Sequence, residues 1–288
     1  MNPSMSALEW LRQTEVRLQA SGSDAAHLDA RWLLGHLLEL DGSDLLRQAP
    51  ELVLETSTLS RLESLVSERE RGVPLAYLLE EWEFYGLTLT VNSDVLVPRP
   101  ESELLVEWGI ELLKNRPSPR IADIGTGSGC LALALAQQLP EATVDAVDLS
   151  EAALRVARRN VEQHQLKGRI QLFEGDLLSP LASLGQYDLI VSNPPYIADG
   201  DPRLERSVRQ FEPAIALYEH TGLDGLNFYR RLLAESPDLL QCEGKLLIEL
   251  PEDGADAVST LGREQGWESE VRCDLANIER VISFTRKE

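Results

Sequence analysis

The chain has 288 residues, of which 43% are hydrophobic and 26% are charged, with 19 glycines and 15 prolines. This is the composition of a globular protein, so a disordered chain, a collagen and a disulfide-stabilised mini-protein are excluded. The 27 basic and 48 acidic side chains give a net charge of −21, and a surface of that sign repels phosphate backbones, which disfavours a large nucleic-acid interface.

A chain of 288 residues is expected to hold about two domains. The first 74 residues have the apolar spacing of helices. The spacing predicts three helices, which begin near Ala7, Asp24 and Leu59. Asp24 is predicted to cap the second helix, in which Leu28, Trp32 and Leu37 lie near helical spacing. Gly72 followed by Pro74 is expected to end the third helix. We therefore predict a small N-terminal helical bundle.

Residues 75–100 have a different pattern. From Leu87 to Val91, apolar residues alternate with threonines, as in a strand with one buried face. Residues 92–94, Asn-Ser-Asp, are typical of a turn, and a second apolar stretch then leads to Pro98-Arg99-Pro100. We predict a β-hairpin linker between two domains.

From residue 101 onward, short apolar runs alternate with helical stretches. The predicted strands are Arg120–Ile124, Thr143–Asp148, Ile170–Glu174, Asp188–Ser192, Lys245–Leu250, Glu268–Cys273 and Arg280–Phe284. Such alternation predicts an α/β domain with a seven-stranded, mostly parallel sheet. Residues 274–279 are too few for a crossover between the last two strands, so we expect the last strand to be antiparallel.

The strongest local signal is a glycine-rich turn after the first of these strands, Asp123-Ile124-Gly125-Thr126-Gly127-Ser128-Gly129. Glycines lack a Cβ and let a ligand approach the backbone, and the turn falls at the carboxyl edge of the sheet, where α/β sheets bind ligands. A dinucleotide site would have glycine at position 130, which is Cys130, so a cofactor without a pyrophosphate is favoured. A plain strand-to-helix turn is the alternative.

Acidic residues follow the next two strands. Asp148 lies about 20 residues after the glycine turn, the spacing of a carboxylate that binds ribose hydroxyls. Asp176 could accept a hydrogen bond from an adenine amino group. Both could instead be capping residues, although Ser150 is better placed to cap the helix that starts at Glu151. A nucleoside site without phosphate points to S-adenosylmethionine.

Asn193-Pro194-Pro195-Tyr196, the NPPY motif, follows the fourth strand. The prolines end the strand and remove two N–H donors, which leaves carbonyl oxygens free to accept. The Asn193 side-chain oxygen and the Pro194 carbonyl could both accept from one –NH₂ group and direct the lone pair of an amide nitrogen at a sulfonium methyl. Tyr196 would supply a flat wall for a planar substrate group. An ordinary proline turn is the alternative.

The cysteines, the histidines and the N-terminus give no sign of a metal site or of export. Cys130, Cys242 and Cys273 are far apart and the four histidines are scattered, so neither a disulfide framework nor a zinc site is expected. The N-terminus lacks the pattern of a secretory signal, and the longest apolar runs are too short for a membrane span. We predict a cytoplasmic protein without a metal.

Taken together, these motifs resemble those of the release factor glutamine methyltransferases, also called the PrmC or HemK family. The segments that carry the resemblance extend over nearly the whole chain: Leu28–Leu38, Pro74–Leu78, Glu83–Leu87, Val95–Glu103, Asp123–Gly129, Asn193–Tyr196, Phe211-Glu212-Pro213 and Asp224-Gly225-Leu226. Many methyltransferases share the glycine turn, whereas the combination of the linker motif, NPPY and Phe-Glu-Pro is more specific.

The resemblance implies a class I S-adenosylmethionine-dependent methyltransferase domain over residues 101–288, after a helical domain over residues 1–74 that recognises the substrate protein and a linker over residues 75–100. It implies methylation of the glutamine N5 in the Gly-Gly-Gln motif of class I peptide chain release factors, with S-adenosylhomocysteine as product. We expect a monomer with no nucleic-acid or membrane partner.

The resemblance also implies the site residues. Those expected to bind the cofactor are Asp123, Gly125, Thr126, Gly127, Ser128, Gly129, Asp148, Asp176, Leu177 and Asn193. Those expected to hold the substrate glutamine are Asn193, Pro194, Pro195, Tyr196, Arg99 and Glu212.

Three positions depart from the family pattern. Glu80 stands where members usually have glycine, Ser102 replaces a usual threonine, and Glu249 is followed by Leu250-Pro251 instead of Ile-Gly. The glycine turn and the NPPY motif are unchanged, so activity is expected.

Other functions remain open at this point. A glutamine methyltransferase of the ribosomal protein L3 type and a methyltransferase for exocyclic amines of nucleic-acid bases would use the same NPPY chemistry, although the negative charge argues against the latter. A methyltransferase fold that only binds partners is a further alternative, against which the intact NPPY motif argues. The segment from Ile197 to Tyr229 is predicted to be an irregular, mobile cover over the substrate.

Overall fold

The computed structural model describes residues 5–197, 204–218 and 225–286. The chain divides into two compact units, one of residues 1–81 and 204–211 and the other of residues 82–203 and 212–288. The predicted linker is thus shared between the units, with its first seven residues in the first unit.

The structure defines the following elements within the described residues. The strands are β1 (Met5–Ser6), β2 (Val53–Leu54), β3 (Glu81–Phe84), β4 (Leu87–Thr90), β5 (Arg120–Ile124), β6 (Thr143–Asp148), β7 (Ile170–Glu174), β8 (Tyr187–Ser192), β9 (Leu240–Glu249), β10 (Trp267–Cys273) and β11 (Glu279–Arg286). The helices are α1 (Ala7–Ala20), α2 (Ala26–Leu38), α3 (Gly42–Gln48), α4 (Thr56–Glu70), α5 (Leu75–Leu79), α6 (Glu103–Leu113), α7 (Cys130–Gln138), α8 (Glu151–Gln163), α9 (Arg206–Phe211), α10 (Ala214–Leu217), α11 (Asn227–Glu235) and α12 (Ala255–Glu264). None of these helices is long and apolar enough to cross a membrane.

The first unit packs α1, α2 and α4 around a core that includes the fully buried Leu18, Leu33 and Leu62. Of the three apolar residues at helical spacing in α2, Leu28 and Trp32 are exposed, and only Leu37 packs against the core. The helix buries a face that combines small residues with two leucines and one acid: Ala26, Asp29, Ala30, Leu33, Leu34 and Gly35. The spacing of Leu28 and Trp32 therefore indicates the wrong face.

Two charged residues stabilise this unusual inner face. Asp29 is buried and its carboxylate accepts from the Arg69 guanidinium at 2.8 Å. The buried charge of Asp29 is tolerated because it is paired with Arg69, which lies 40 residues away in the sequence.

The predicted cap by Asp24 is wrong, since α2 begins at Ala26 and Ala25 occupies the N-cap position.

The end of α9 completes the packing of the first unit. A Cβ placed on Gly72 would lie 3.6 Å from the Phe211 ring, so the ring covers this glycine. Gly72 has a φ of +96°, the left-handed conformation predicted for the residue that ends the preceding helix. At the end of α5, Glu80 has a φ of +56°, a left-handed conformation that glycine adopts without strain.

The predicted hairpin is present, but it uses a different pair of strands. β4 pairs with β3 and not with the stretch from Val95 to Val97. Tyr85 and Gly86 connect the two strands with positive φ values of 50° and 74°, as in a type I′ turn. Residues 92–94 do form a turn, in which the Asp94 N–H donates to Asn92 Oδ1 at 2.9 Å.

The sheet of the second unit confirms the predicted fold class. Its strand order is β10-β11-β9-β8-β5-β6-β7, and the five central and edge strands from β9 to β7 run parallel. β11 is antiparallel to both β9 and β10, as the short connection predicts. Apolar clusters cover both faces of the sheet. The carboxyl ends of five strands therefore meet at one edge.

The predicted cover over the substrate is only partly described. Residues 198–203 and 219–224 lie outside the described residues. The parts that are described are not irregular throughout, because they contain α9, α10 and the start of α11.

Candidate active site

A cavity opens at the carboxyl edge of the sheet, within the second unit. The residues that line it come from the linker, the glycine turn, the ends of β6 and β7, the NPPY motif and two later helices: Asp94, Val95, Leu96, Pro98, Arg99, Ser102, Ile124–Ser128, Cys130, Leu131, Val147–Ser150, Ala153, Gly175–Leu177, Asn193, Pro195, Ile215, Ala216 and Phe228. The predicted site residues among them are Arg99, Gly125, Thr126, Gly127, Ser128, Asp148, Asp176, Leu177, Asn193 and Pro195. The predicted site residues that lie outside this lining are Asp123, Gly129, Pro194, Tyr196 and Glu212.

Asp123 stabilises the conformation of the glycine turn from the side of the core. The buried Asp123 Oδ2 accepts from the Thr126 hydroxyl at 2.6 Å and from the Ala132 N–H at 3.1 Å. Burial raises the pKa of Asp123 to about 7. Gly127 has a φ of +56°, and a Cβ added to it would meet nothing within 4 Å. The turn therefore presents bare backbone to the cavity, while Asp123 holds its shape from the side of the core.

Asp148 connects the end of β6 to the same turn. Its Oδ2 accepts from the Gly127 N–H at 2.8 Å and its Oδ1 from the Ser150 N–H at 2.9 Å. Ser150 is the N-cap of α8 and its hydroxyl accepts from the Ala153 N–H at 3.2 Å, as predicted. Burial raises the pKa of Asp148, while the backbone donors lower it. Because the capping role belongs to Ser150, Asp148 keeps acceptor positions for a ligand.

The third strand end brings Asp176 and Leu177 to the cavity. Both Asp176 oxygens accept from the Arg231 guanidinium, at 3.0 and 2.9 Å. This ion pair occupies much of the carboxylate, so the contact with an adenine amino group stays a prediction. Leu177 has a φ of +47°, a strained conformation for leucine that turns its backbone at the cavity wall.

The NPPY motif begins with a carboxamide whose orientation is fixed. Asn193 Nδ2 donates to the Ser102 hydroxyl at 2.9 Å. Ser192, directly before it, is buried and donates to the Ile124 carbonyl at 2.7 Å, which ties the end of β8 to β5. Among the described residues no donor reaches Asn193 Oδ1. The oxygen of a side chain that lines the cavity is therefore left to accept from a ligand.

The rest of the motif lies around this carboxamide. Pro195 lines the cavity, whereas Pro194 is buried beneath the surface. The Tyr196 ring packs against the core cluster on one face of the sheet, and its hydroxyl donates to Glu249 Oε1 at 3.3 Å. Burial raises the pKa of Tyr196, so it remains a neutral phenol. The hydroxyl contact ties the end of the motif to β9, and the role of the Tyr196 ring as a wall for the substrate stays a prediction.

Arg99 and Glu212, both predicted to bind substrate, contact each other. Arg99 lines the cavity and donates to Glu212 Oε1 at 2.6 Å, and the Val97 N–H donates to Glu212 Oε2 at 3.1 Å. Glu212 is buried. The glutamate therefore holds the linker, and of the two residues only Arg99 reaches the cavity.

Sequence analysis missed Ser102 and Glu249 as parts of the site. Ser102 lines the cavity, and its hydroxyl donates to the buried Glu249 Oε2 at 2.5 Å. Glu249 ends β9, and an acid at a strand end was the signal that had identified Asp148. The departure at Leu250-Pro251 leaves the strand end intact, since the Leu250 N–H still donates to the Arg280 carbonyl at 2.7 Å.

The lining residues fit a nucleoside-containing cofactor, since the acids Asp148 and Asp176 and the glycine turn line the cavity together. Ser128 Oγ, in this lining, and Asp123 Oδ1, behind it, are buried and without a hydrogen-bond partner in the described part of the chain. Unpaired buried polar atoms of this kind are rare and suit a ligand that brings its own donors and acceptors. Within the described residues no cluster of histidine, cysteine and acidic side chains could hold a metal ion.

Comparisons with known proteins agree with this geometry. The family model of the PrmC N-terminal domain matches residues 9–79, and that of the methyltransferase small domain matches residues 101–222. A release factor glutamine methyltransferase from Rhodopirellula baltica is 39% identical over 98% of this chain and 96% of that protein. One from Coxiella burnetii is 40% identical over 92% of this chain and 93% of that protein. A methyltransferase structure from Pyrococcus furiosus, 20% identical, aligns with a TM-score of 0.53 over 80% of this chain and 100% of that one, which shows a shared fold.

Proposed function

Because this chain belongs to the release factor glutamine methyltransferase family, we propose that it methylates the glutamine N5 in the Gly-Gly-Gln motif of class I peptide chain release factors. S-adenosylmethionine is the methyl donor. The observation that carries the proposal is the Asn193 carboxamide, which is anchored through its nitrogen and keeps its oxygen free beside the cavity.

The chemical difficulty is the low nucleophilicity of an amide nitrogen, whose lone pair is delocalised into its carbonyl. Asn193 Oδ1 accepts one N–H of the glutamine amide and the Pro194 carbonyl accepts the other. Two acceptors out of the amide plane favour a pyramidal nitrogen and direct its lone pair toward the methyl carbon. This contribution is one of orientation and preorganised electrostatics, because none of these acceptors is a strong base.

When bound, S-adenosylmethionine supplies a methyl group on a positively charged sulfur. Transfer of that methyl group to the glutamine nitrogen would break the carbon–sulfur bond, leave its electron pair on the sulfur of S-adenosylhomocysteine, and release the extra proton of the nitrogen to water. Asp148 would hold the ribose hydroxyls, Gly125, Thr126, Gly127 and Ser128 would hold the methionine part, and Leu177 would contact the adenine, since all of them line the cavity.

The test is mass spectrometry of a class I release factor after incubation with the enzyme and S-adenosylmethionine. The expected result is a gain of one methyl group on the peptide that contains Gly-Gly-Gln. Replacing that glutamine by asparagine should abolish the gain, because the shorter side chain does not reach the acceptors. Methylation of a nucleic acid or of ribosomal protein L3 in preference to the release factor would contradict the proposal.

The remaining expectations about partners are part of the same proposal. The N-terminal helical domain is proposed to recognise the release factor, with the enzyme acting as a cytoplasmic monomer. The sedimentation coefficient would check the monomer, and the affinity of the full chain for a release factor with the exposed Leu28 and Trp32 of α2 replaced by alanine would check the recognition.

A further inference from the structure

A single buried carboxylate connects to both ends of the NPPY motif. Glu249 Oε2 accepts from the Ser102 hydroxyl at 2.5 Å, and that hydroxyl in turn accepts from Asn193 Nδ2 at 2.9 Å. The other oxygen, Oε1, accepts from the Tyr196 hydroxyl at 3.3 Å. Glu249 is only 3% exposed and lies outside the cavity lining, so it reaches the substrate only through these neighbours.

The donor and acceptor roles in the hydrogen bonds from Asn193 to Ser102 and from Ser102 to Glu249 are determined by the groups involved. A serine hydroxyl has one hydrogen, and a charged carboxylate can only accept. Ser102 must therefore give its hydrogen to Glu249 and can only accept from Asn193. The asparagine is thus forced to present its –NH₂ group to Ser102, and its oxygen has to point the other way.

The position of Ser102 supports a role other than helix capping. It occupies the N-cap of α6, where a serine hydroxyl commonly accepts from a backbone N–H of the first turn. Here its side chain makes no such bond. The hydroxyl is engaged with Glu249 and Asn193 instead, which are 147 and 91 residues away in the sequence.

We propose that Glu249 and Ser102 are positioning residues that make the Asn193 carboxamide present its oxygen, and not its –NH₂ group, to the substrate glutamine. The inference rests on the proposed function and adds to it the groups that set the polarity of the acceptor. With the polarity reversed, two –NH₂ groups would face each other and the glutamine would lose one acceptor.

The charge of Glu249 decides the polarity. Burial raises the pKa of Glu249 to about 7, while the hydroxyls of Ser102 and Tyr196 and the guanidinium of Arg280 lower it and the carboxylate of Glu101 raises it. The Tyr229 hydroxyl, on α11, donates to the Glu249 backbone carbonyl at 2.8 Å. A protonated Glu249 could donate to the Ser102 hydroxyl, and that hydroxyl could then donate to Asn193 Oδ1. Both hydrogen bonds would be reversed, and the Asn193 –NH₂ group would face the substrate. Turnover is therefore expected to fall as the pH drops through about 7.

The experiment compares Glu249→Gln, Ser102→Ala and Ser102→Thr with the parent enzyme on the same release factor. Glutamine at position 249 can donate to Ser102, and alanine at position 102 removes the hydroxyl between Glu249 and Asn193. Neither variant fixes the orientation of the Asn193 carboxamide, so kcat should fall roughly 10- to 100-fold, the scale of a reacting group misplaced by about 1 Å. The dissociation constant of S-adenosylmethionine should stay at the parent value. Ser102→Thr keeps the hydroxyl and should restore most of the turnover.

Asp145→Asn is the matched control. Asp145 is also a largely buried acid that accepts from a tyrosine hydroxyl, that of Tyr187 at 2.8 Å, but it lies near the start of β6, away from the cavity. Its substitution should leave kcat and its pH profile unchanged. The acidic limb of kcat should be present in the parent and in Asp145→Asn and absent in Glu249→Gln.

The outcomes separate this inference from the proposed function. If the parent does not methylate the release factor, the proposed function is wrong. If the parent is active and both Glu249→Gln and Ser102→Ala keep the parent kcat, the positioning role is refuted. If Ser102→Thr is as slow as Ser102→Ala, the hydroxyl is not what matters and the inference also fails. Should Glu249→Gln not fold, the comparison of the two Ser102 variants decides alone.

Discussion

Replacing Asp148 by alanine tests whether this carboxylate holds the cofactor or only the glycine turn. Each of its oxygens already accepts one backbone N–H, from Gly127 and from Ser150. A carboxylate offers about four acceptor positions, so roughly two remain for the two hydroxyls of a ribose. Hydrogen bonds to a charged group contribute about 1.5 to 3 kcal/mol each. Two lost bonds at the lower value amount to about 3 kcal/mol, or a rise of roughly 100-fold in Kd.

Isothermal titration calorimetry with S-adenosylmethionine measures this change directly. Asp145→Ala is the control, because Asp145 lies on the same strand, three residues before Asp148 and outside the cavity lining, and pairs with Arg120 at 3.1 Å. It should lower the stability of the fold without changing Kd. An Asp148→Ala enzyme that binds the cofactor as tightly as the parent would refute the reasoning, and Asp148 would then be only a brace for Gly127.

Asn193→Ala should lower single-turnover rates by about 10²- to 10³-fold, the scale for one preorganised polar group, with cofactor affinity unchanged; an unaltered rate would remove Asn193 from the mechanism. Glu80→Gly should raise the free energy of unfolding by up to about 1 kcal/mol in urea, because it relieves a left-handed φ of +56°, whereas Glu81→Gly, which removes the same charge from an extended strand, should lower it. Equal effects of the two glycines would contradict this explanation. Burial raises the pKa of Asp123 from 3.8 to about 7, so the stability that it contributes is complete below about pH 4 and is lost as the pH rises through 7. The free energy of unfolding in urea should therefore depend less steeply on pH for Asp123→Asn than for the parent between about pH 4 and 7. The same pH dependence in both proteins would argue against a raised pKa of Asp123.

The parts of the fold that were predictable are those encoded locally. β5, β6 and β7 have the predicted bounds, because each is a short stretch rich in apolar residues that is followed directly by turn or helix-capping residues. The hairpin was assigned to the wrong partner because its turn contains Tyr85, a residue that rarely adopts a positive φ and gives no turn signal. The inner face of α2 was missed because the exposed Leu28 and Trp32 also have helical spacing and because the buried face includes the ion-paired Asp29.

The candidate site divides in the same way. Its glycine turn, Asp148 and Asn193 each follow a strand and could be recognised from neighbouring residues. The contact of Asn193 with Ser102 and of Ser102 with Glu249 joins three segments that are far apart in the sequence. Periodicity and spacing do not reveal such a contact, since it depends on how the sheet brings the linker and the ends of β8 and β9 together.

The path of the chain through its two units limits how the protein can be divided. After the NPPY motif the chain contributes residues 204–211 to the first unit, where Phe211 covers Gly72, and it returns to the second unit at Glu212. If the chain is cut after residue 81, the N-terminal fragment lacks residues 204–211 of its own unit. The C-terminal fragment keeps these residues, but the Phe211 ring has then lost Gly72, the residue that it covers. An exchange of the helical unit between relatives has to transfer two separate stretches of sequence, and the shorter one is embedded in the catalytic half of the gene.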